Sequence, residues 1–382
     1  MQLFEKFNKI EGELNSYFVE REEVLHGLAL AILSENNMLL LGPPGVAKSM
    51  IIRAWKNHIS DAEKFEWLLT KFSSPEEVLG PLSLKALAED RYSRITVHKL
   101  PEAHFAFLDE IFKCNSGLLN SLLPVLNERI FHNDGKVVDI PLLTVVGASN
   151  EIPDTDDGLD ALFDRFLLKF MVKPIQEEGN FKQMLMTKAP PPEVMLSIAE
   201  IHEAKAMVDA VEINEGMADV LIKLRRSLAG KGLHATDRTY NTAMKILKAE
   251  AFLQGRDQLI EDDFDILSNV LWTDPKDERP VRSIILDQIS PEKGKIVSLY
   301  EKALEVANET LNEKDKKKKV EKGIDTAAKL KEIKKSISKH IKAMEAKKKD
   351  TREVKRYDFK VNELLGRVFS ESCGIDPTSH KS

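Results

Sequence analysis

The sequence predicts an α/β fold with a parallel sheet, then a wholly helical region and a helical, lysine-rich C-terminal stretch. Three observations carry that expectation. Short apolar runs alternate with helical patterns between residues 37 and 172, as crossover-connected parallel strands require. The first run, NMLLLG, continues through GPPGVAKS into a helical pattern, so a glycine-containing turn joins strand to helix. Beyond Pro174 the apolar runs stop and only helical periodicity remains.

Taken in order, residues 3 to 34 read as helical. In REEVLHGLALAIL, Val24, Leu28 and Ala31/Ile32 recur near helical spacing. NMLLLG suits a strand buried on both faces. SMIIRAWKNHI is the following helix, and FEWLLT a second strand, interrupted by a segment with Pro75, Gly80 and Pro81. HFAFLDE gives a strand ending in two carboxylates. GLLNSLLPVLNERI is helical, with Pro124 expected to kink it or displace its start. PLLTVVGASN is a further strand, GLDALFDRF a short helix and LLKFMV another strand.

Helices are expected at 194–208, 214–228, 236–255 and 261–271, and WTDPKDERPV at 272–281 reads as a linker. Ile296 to Leu311 continues helical. Leu330, Ile333, Ile337, Ile341 and Met344 then recur at gaps of three or four, an amphipathic stripe for a hairpin or coiled coil with the helix before it. Residues 370 to 382 should fray. The expected domains are therefore 1–175, α/β and nucleotide-binding; 190–272, all-helical; and 282–369, a helical extension.

Composition narrows the function classes. The 382 residues allow two or three domains; 42% hydrophobic content supplies a core, and 31% charged is high. Cys114 and Cys373 lie far apart, which excludes a disulfide ladder or a Cys-x-x-Cys zinc pattern and suits a reducing cytosol. The longest apolar run, Leu28 to Leu33, is too short to span a bilayer. MQLFEKFNKIEGEL lacks the apolar core of a secretion signal, so a cytoplasmic location is expected. The net charge of −6 hides a split: Lys314 to Arg356 carries +11, and the first 313 residues −16.

The chemistry starts at GPPGVAKS. Successive backbone N–H groups curling into a helix N-terminus form an anion cradle. Here it runs from Gly42 through Pro43, Pro44, Gly45, Val46, Ala47, Lys48 and Ser49 to Met50. Lys48 supplies a point charge for the β- and γ-phosphates of a nucleotide, and Ser49 a hydroxyl for Mg²⁺. The usual pattern has glycine where this chain has Ala47. With Ala47 at negative φ the cradle survives; the plain alternative for the whole segment is a turn before an ordinary helix.

About sixty residues on, FAFLDE brings Asp109 and Glu110 to the sheet edge where ligands sit in open α/β folds. Asp109 would hold the magnesium water shell and Glu110 activate the attacking water; a solvated strand end is the plain alternative. Asn150, at the tip of VVGASN, would position water or sense the γ-phosphate, or simply form a turn. Arg165 in LFDRF and Arg238 in ATDRTY are candidate late-arriving positive charges, or ordinary surface side chains.

The order GPPGVAKS, FLDE, GASN, DALFDRF, TDRTY resembles the AAA+ ATPases of the MoxR group. FSSPEEVLGPLSLKAL, KLPEAHFAFLDEI, LNERIF and LLKAEAFLQGRD are similar to its RavA-like branch. The resemblance covers roughly residues 1 to 272. It implies an AAA+ parallel-sheet P-loop domain followed by an all-helical lid, in a hexameric ring with ATP and Mg²⁺ between subunits. Ala47 is then a family feature.

Carried over, Lys48 and Ser49 match Walker A, Asp109 and Glu110 Walker B, and Asn150 sensor 1. Arg165 matches the arginine finger given to the next subunit, with Arg129 in NERIF as its rival, and Arg238 matches sensor 2. Val19 in FVEREEV sits where the family contacts adenine. Residues 73 to 100 would form a helix-2 insert hairpin, and 130 to 141 a hairpin before sensor 1. Residues 273 to 382 lack the small β-rich module of the RavA-like branch.

The resemblance implies an ATP hydrolase that remodels a protein client, chaperone-like, with a von Willebrand factor A domain partner. A nucleic-acid motor would draw on the +11 stretch, but the −16 of the rest repels a polyanion and the stretch lacks interleaved aromatics. An ATP-assembled scaffold is a third reading, against which Glu110 argues.

Overall fold

The computed structural model describes residues 1–151, 160–188, 191–347 and 351–373. The strands, in chain order, are β1 (Asn37–Leu41), β2 (Ile59–Ser60), β3 (Lys64–Leu68), β4 (Phe105–Asp109), β5 (Ile130–Asn133), β6 (Lys136–Asp139), β7 (Thr144–Ser149), β8 (Phe166–Met171) and β9 (Leu196–Ser197). Five of them form one parallel sheet in the order β3-β4-β7-β1-β8. Every residue of β1 and β7 is buried, which is why these runs are mostly apolar and do not alternate.

Because the strands are parallel, all five C-terminal ends lie along one edge. The chain leaves β1 inside the sheet, next to its edge, fills β3, β4 and β7 on one side, and returns to place β8 on the other. β1 thus sits where the strand order switches, the place at which open α/β sheets hold ligands.

The helices are α1 (Leu3–Tyr17), α2 (Glu22–Ser34), α3 (Lys48–Asn57), α4 (Pro75–Leu79), α5 (Leu84–Leu87), α6 (Ser116–Glu128), α7 (Asp160–Phe163), α8 (Glu178–Met186), α9 (Ile198–Asp209), α10 (Glu215–Ala229), α11 (Asp237–Leu253), α12 (Glu278–Ile289), α13 (Pro291–Leu311), α14 (Lys316–Ala346) and α15 (Arg352–Cys373). A 3₁₀ stretch covers Glu261–Asn269. The chain divides into two compact units: Met1–Lys223 with Gly232–Asp277, and Leu224–Lys231 with the residues from Glu278 onward.

Several expectations are corrected. The helical stretch from 3 to 34 breaks at 18–21, where Glu20 takes a positive φ of 58°. Its carboxylate accepts the backbone N–H groups of Gln176 and Glu177, a tertiary contact that no local pattern foreshadows. Residues 73 to 100 do not pair as a hairpin of strands. They form α4, α5 and one bridge between Leu82 and Arg94, because Pro75 and Ser74 start a capped helix instead.

β5 and β6 do pair as an antiparallel hairpin within 130 to 141. Strands do not stop at Pro174: β9 pairs with β2, a ladder too short to show in periodicity. α6 runs through Pro124 without ending there. The reading of 272–281 as linker overlaps the start of α12.

The C-terminal extension holds a third long helix, α15, beyond the hairpin expected. Val354, Val361, Leu364 and Val368 of α15 join Leu330, Ile337 and Ile341 of α14 and Ile296, Ala303 and Ala307 of α13 in one core. The lysines of α14 mask the extent of this apolar packing in composition alone. Among the described residues no helix is long and apolar enough to cross a membrane.

Candidate active site

The phosphate-type loop leaves β1 at its C-terminal end and is anchored on both sides. Gly42 N–H donates to the Ser149 carbonyl of β7 (3.1 Å), and Val172 N–H to the Leu41 carbonyl (2.7 Å). A β-carbon on residue 42 would lie 2.1 Å from the Val172 carbonyl oxygen, so only glycine allows this approach. Arg21, buried, donates from Nε to the Val46 carbonyl (3.3 Å) and from Nη2 to the Lys173 carbonyl (2.8 Å). Val19, two residues earlier, is buried.

Gly45 has φ +81° and Ala47 φ +69°. The expectation of negative φ at Ala47 is overturned: it caps α3 in the left-handed region. That geometry costs a non-glycine residue roughly 1–2 kcal/mol, so the loop is held in shape against local strain. Val46 is buried, Pro43, Pro44, Gly45 and Met50 are exposed, and Gly42, Ala47 and Ser49 are intermediate.

Three predicted residues meet in one chain of hydrogen bonds. The Lys48 ammonium donates to Asn150 Oδ1 (2.7 Å), and also to the Gly42 (2.5 Å) and Pro43 (3.3 Å) carbonyls. Asn150 Nδ2 in turn donates to Glu110 Oε1. Burial pushes the Lys48 ammonium below its usual pKa, opposed by the charges of Asp109 and Glu110.

Glu110 itself takes φ +53° and caps a 3₁₀ turn over Ile111–Lys113. Its Oε2 is buried with no hydrogen bond, although the Lys113 ammonium lies 3.3 Å away. Burial pushes the Asp109 carboxyl above its ordinary pKa, against a hydrogen bond from the Glu110 N–H. Ser49 and Asp109 line the same open groove. A hydroxyl and a desolvated carboxylate are hard oxygen donors, and they fit a Mg²⁺ that arrives with a polyphosphate.

The two remaining predicted residues lie elsewhere. Arg165 precedes β8, and its carbonyl accepts from Asn37 Nδ2 (3.0 Å), at the first residue of β1. Lys48 lies past the other end of that strand, roughly 13 Å of extended chain away. Asn37 Nδ2 also reaches the Leu126 carbonyl (3.1 Å), and Arg238, in the first turn of α11, reaches Asn127 (3.4 Å). Both arginines therefore occupy the opposite edge of the sheet from the loop.

They are close enough to repel. Burial first, and then the Arg238 charge, lowers the Arg165 pKa. Among the described residues neither guanidinium has a salt-bridge partner, and Arg165 Nε is buried without a hydrogen bond. The rival, Arg129, is engaged within its own chain. Burial pushes it down to about 10, and it donates to the carbonyls of Val125 (3.4 Å), Leu126 (3.1 Å) and Glu35 (2.8 Å) and to Asn37 Oδ1 (2.9 Å). It caps the end of α6 and is spent structurally.

Sequence reasoning missed Arg21 and Asn37. Asn37 has a faint signal, a polar residue opening an apolar run; Arg21 has none, because its partners are 25 and 152 residues away.

Comparison with known proteins follows this geometry. Residues 5–192 match the family model described as the MoxR domain in the MoxR-vWA-beta-propeller ternary systems, and residues 216–285 match an AAA lid domain. The uncharacterized protein MJ0079 of Methanocaldococcus jannaschii is 38% identical over 288 residues, 75% of each chain. The chaperone MoxR1 of Mycobacterium tuberculosis is 22% identical over 303 residues, 73% of this chain and 77% of that one. The crystal structure of a candidate ATPase from Cytophaga hutchinsonii superimposes with a TM-score of 0.62 at 16% identity, over 75% of this chain and 95% of that one. At that identity the likeness concerns the fold alone.

Proposed function

Because this chain belongs to the MoxR family of AAA+ ATPases, we propose that it hydrolyses ATP in pockets shared between adjacent copies of a ring and uses the turnover to remodel a protein client. One observation carries the shared pocket. Lys48, Glu110 and Asn150 gather at one edge of the sheet, while Arg165 and Arg238 gather at the other with no salt bridge among the described residues. Two such edges, contributed by two copies, supply every charge that phosphoryl transfer needs.

In that pocket the loop N–H groups and Lys48 bind the β- and γ-phosphates, replacing the carbonyls that now accept from the ammonium. Asn150 and Glu110 orient a water in line with the γ-phosphorus. The water oxygen bonds to phosphorus, the bond to the bridging β–γ oxygen breaks, and the proton passes to Glu110, leaving ADP and inorganic phosphate. A Mg²⁺ held through Ser49 and Asp109 would neutralise charge on the phosphates. The neighbour's Arg165 stabilises charge on the transferring group, a contribution worth about 10³–10⁵ in rate for arginine fingers. Val19 would face the adenine.

The description of the matched family model supports a von Willebrand factor A domain partner, and the chaperone name of a relative supports a remodelling role. The RavA-like branch and a hexameric, cytoplasmic ring belong to the same proposal.

Mixing tests the shared pocket. Arg165→Ala subunits keep an intact Lys48 site, and Glu110→Gln subunits keep an intact finger. Each alone should be nearly inactive, and their mixture should regain ATP turnover. Intact assembly with no recovery would place Arg165 in its own subunit's site and overturn the reading. Proteins retained on the Glu110→Gln variant in ATP identify the partner; retention of no protein with a von Willebrand factor A domain would remove that element.

A further inference from the structure

Between the two edges runs a contact that the chemistry above does not use. Glu110 opens the 3₁₀ turn Ile111–Lys113, closed by a hydrogen bond from Lys113 N–H to the Glu110 carbonyl (2.8 Å). The middle residue of that turn is Phe112, half-buried, whose ring stacks on Phe163 with centroids 6.0 Å apart and 26° between planes. Phe163 ends α7, two residues before Arg165, whose N–H donates to the Leu162 carbonyl (3.0 Å).

Phe163 also meets the Trp272 ring at 6.2 Å. The buried Lys169 ammonium lies 5.5 Å from the Phe163 ring and 5.4 Å from that of Trp272, and donates to the Val270 carbonyl (3.2 Å). Phe163 thus meets both a ring on the turn that follows Glu110 and the Lys169 ammonium with the Trp272 indole.

We propose that Phe112 is a positioning residue that passes the state of a subunit's own Glu110 turn to its Arg165 through Phe163, which Lys169 and Trp272 clamp. The inference rests on the proposal that Arg165 serves the neighbouring site. Its physical basis is short and continuous. Glu110 is tied through Asn150 to Lys48, so phosphate binding that redirects the ammonium releases the carboxylate and its turn. Phe112 is rigidly part of that turn, and close-packed rings shift between discrete arrangements and deform little in between. Arg165, anchored through its backbone and carrying a guanidinium with no salt bridge among the described residues, would follow. Each copy would then present its finger according to the nucleotide in its own pocket.

The test isolates the finger from the site. A subunit carrying Glu110→Gln contributes no hydrolysis, so its only effect on wild-type neighbours is through its arginines. Three such proteins are mixed in equal proportion with wild type: Glu110→Gln alone, Glu110→Gln with Arg165→Ala, and Glu110→Gln with Phe112→Leu. The Arg165→Ala mixture should fall below Glu110→Gln alone by about threefold or more in ATP turnover, and Phe112→Leu should reproduce at least half of that fall. Phe112→Tyr, which keeps the stacked ring, should return turnover to the Glu110→Gln level, a rescue that loss of mere bulk would not give.

A Phe112→Leu mixture matching Glu110→Gln alone, while Arg165→Ala is lower, ends the relay and leaves the shared pocket standing. An Arg165→Ala mixture matching Glu110→Gln alone overturns the shared pocket, and the relay falls with it. If Phe112→Leu fails to assemble, Lys169→Met, which removes the ammonium and keeps the stem's volume, is read in the same mixture. A fall there supports the clamp, and no fall overturns it.

Discussion

The two units of the chain bury different things. The α/β and lid unit buries the charged groups Arg21, Lys48, Glu110, Lys169 and Asp263. In the second unit the buried polar residues, among those described, are hydroxyls: Ser290, Thr310, Thr326, Thr351 and Ser372. Thr310 and Thr326 satisfy one another at 2.7 Å inside an otherwise aliphatic core. Burying a charge is costly unless something holds it, so a fold keeps one where chemistry or a specific tie requires it. The contrast separates a unit whose interior holds charged groups in specific ties from one whose interior packs aliphatic side chains.

The largest effects should fall on opposite quantities in the two units. Glu110→Gln should lower ATP turnover by about 10²–10⁴ while leaving nucleotide affinity within a few fold, read by steady-state hydrolysis and equilibrium binding. Ile337→Ala, in the bundle core, should leave turnover and affinity unchanged but destabilise its unit by about 2–5 kcal/mol, read by denaturant unfolding. A bundle-core substitution that abolished turnover would erase the division drawn above.

The next effect is a pH dependence confined to the first unit. His26 on α2 sits between Glu11 on α1 (3.1 Å) and Glu250 on α11 (2.6 Å). Burial alone would lower the imidazole pKa, but the Glu250 and Glu11 carboxylates hold it well above the ordinary value; the same contact keeps Glu250 below its own. The sign follows. The histidine's contribution is complete below its unfolded pKa of about 6.5 and disappears as pH rises through the raised folded value, while that of Glu250 is lost toward acid. His26→Gln should therefore cost about 1–3 kcal/mol near pH 6 and markedly less in alkaline buffer, by denaturation at both. An equal cost at both would mean that the charge does not hold α1 and α2 to the lid helix.

The smallest effect concerns Ala47. Glycine relieves the left-handed strain but adds unfolded-state freedom, so Ala47→Gly should stabilise by no more than about 1 kcal/mol and leave ATP affinity intact, by thermal unfolding and binding. A large loss of affinity would show that the alanine methyl itself shapes the cradle.

Much of the fold was legible because its strands are locally complete signals. Four apolar residues before a glycine loop, or four before two acids, state both burial and edge. What escaped was non-local. The 18–21 break depends on Glu20 reaching residues 176 and 177, and β9 on a partner strand more than a hundred residues earlier. α15 was hidden because its apolar residues pack against two other helices while its remaining positions read as polar.

The site divides along the same line. Sequence alone determined that Lys48, Ser49, Asp109, Glu110 and Asn150 stand at strand ends, because strand direction and motif order are written in one dimension. Only the tertiary structure decided the rest. It turned Ala47 left-handed, consumed Arg129 as a cap, and set Arg165 beside Arg238 at the far edge with Phe112 reaching toward them. Which cation is engaged within the chain depends on burial and pairing through space, and residues far apart along the chain carry no record of who their partners will be.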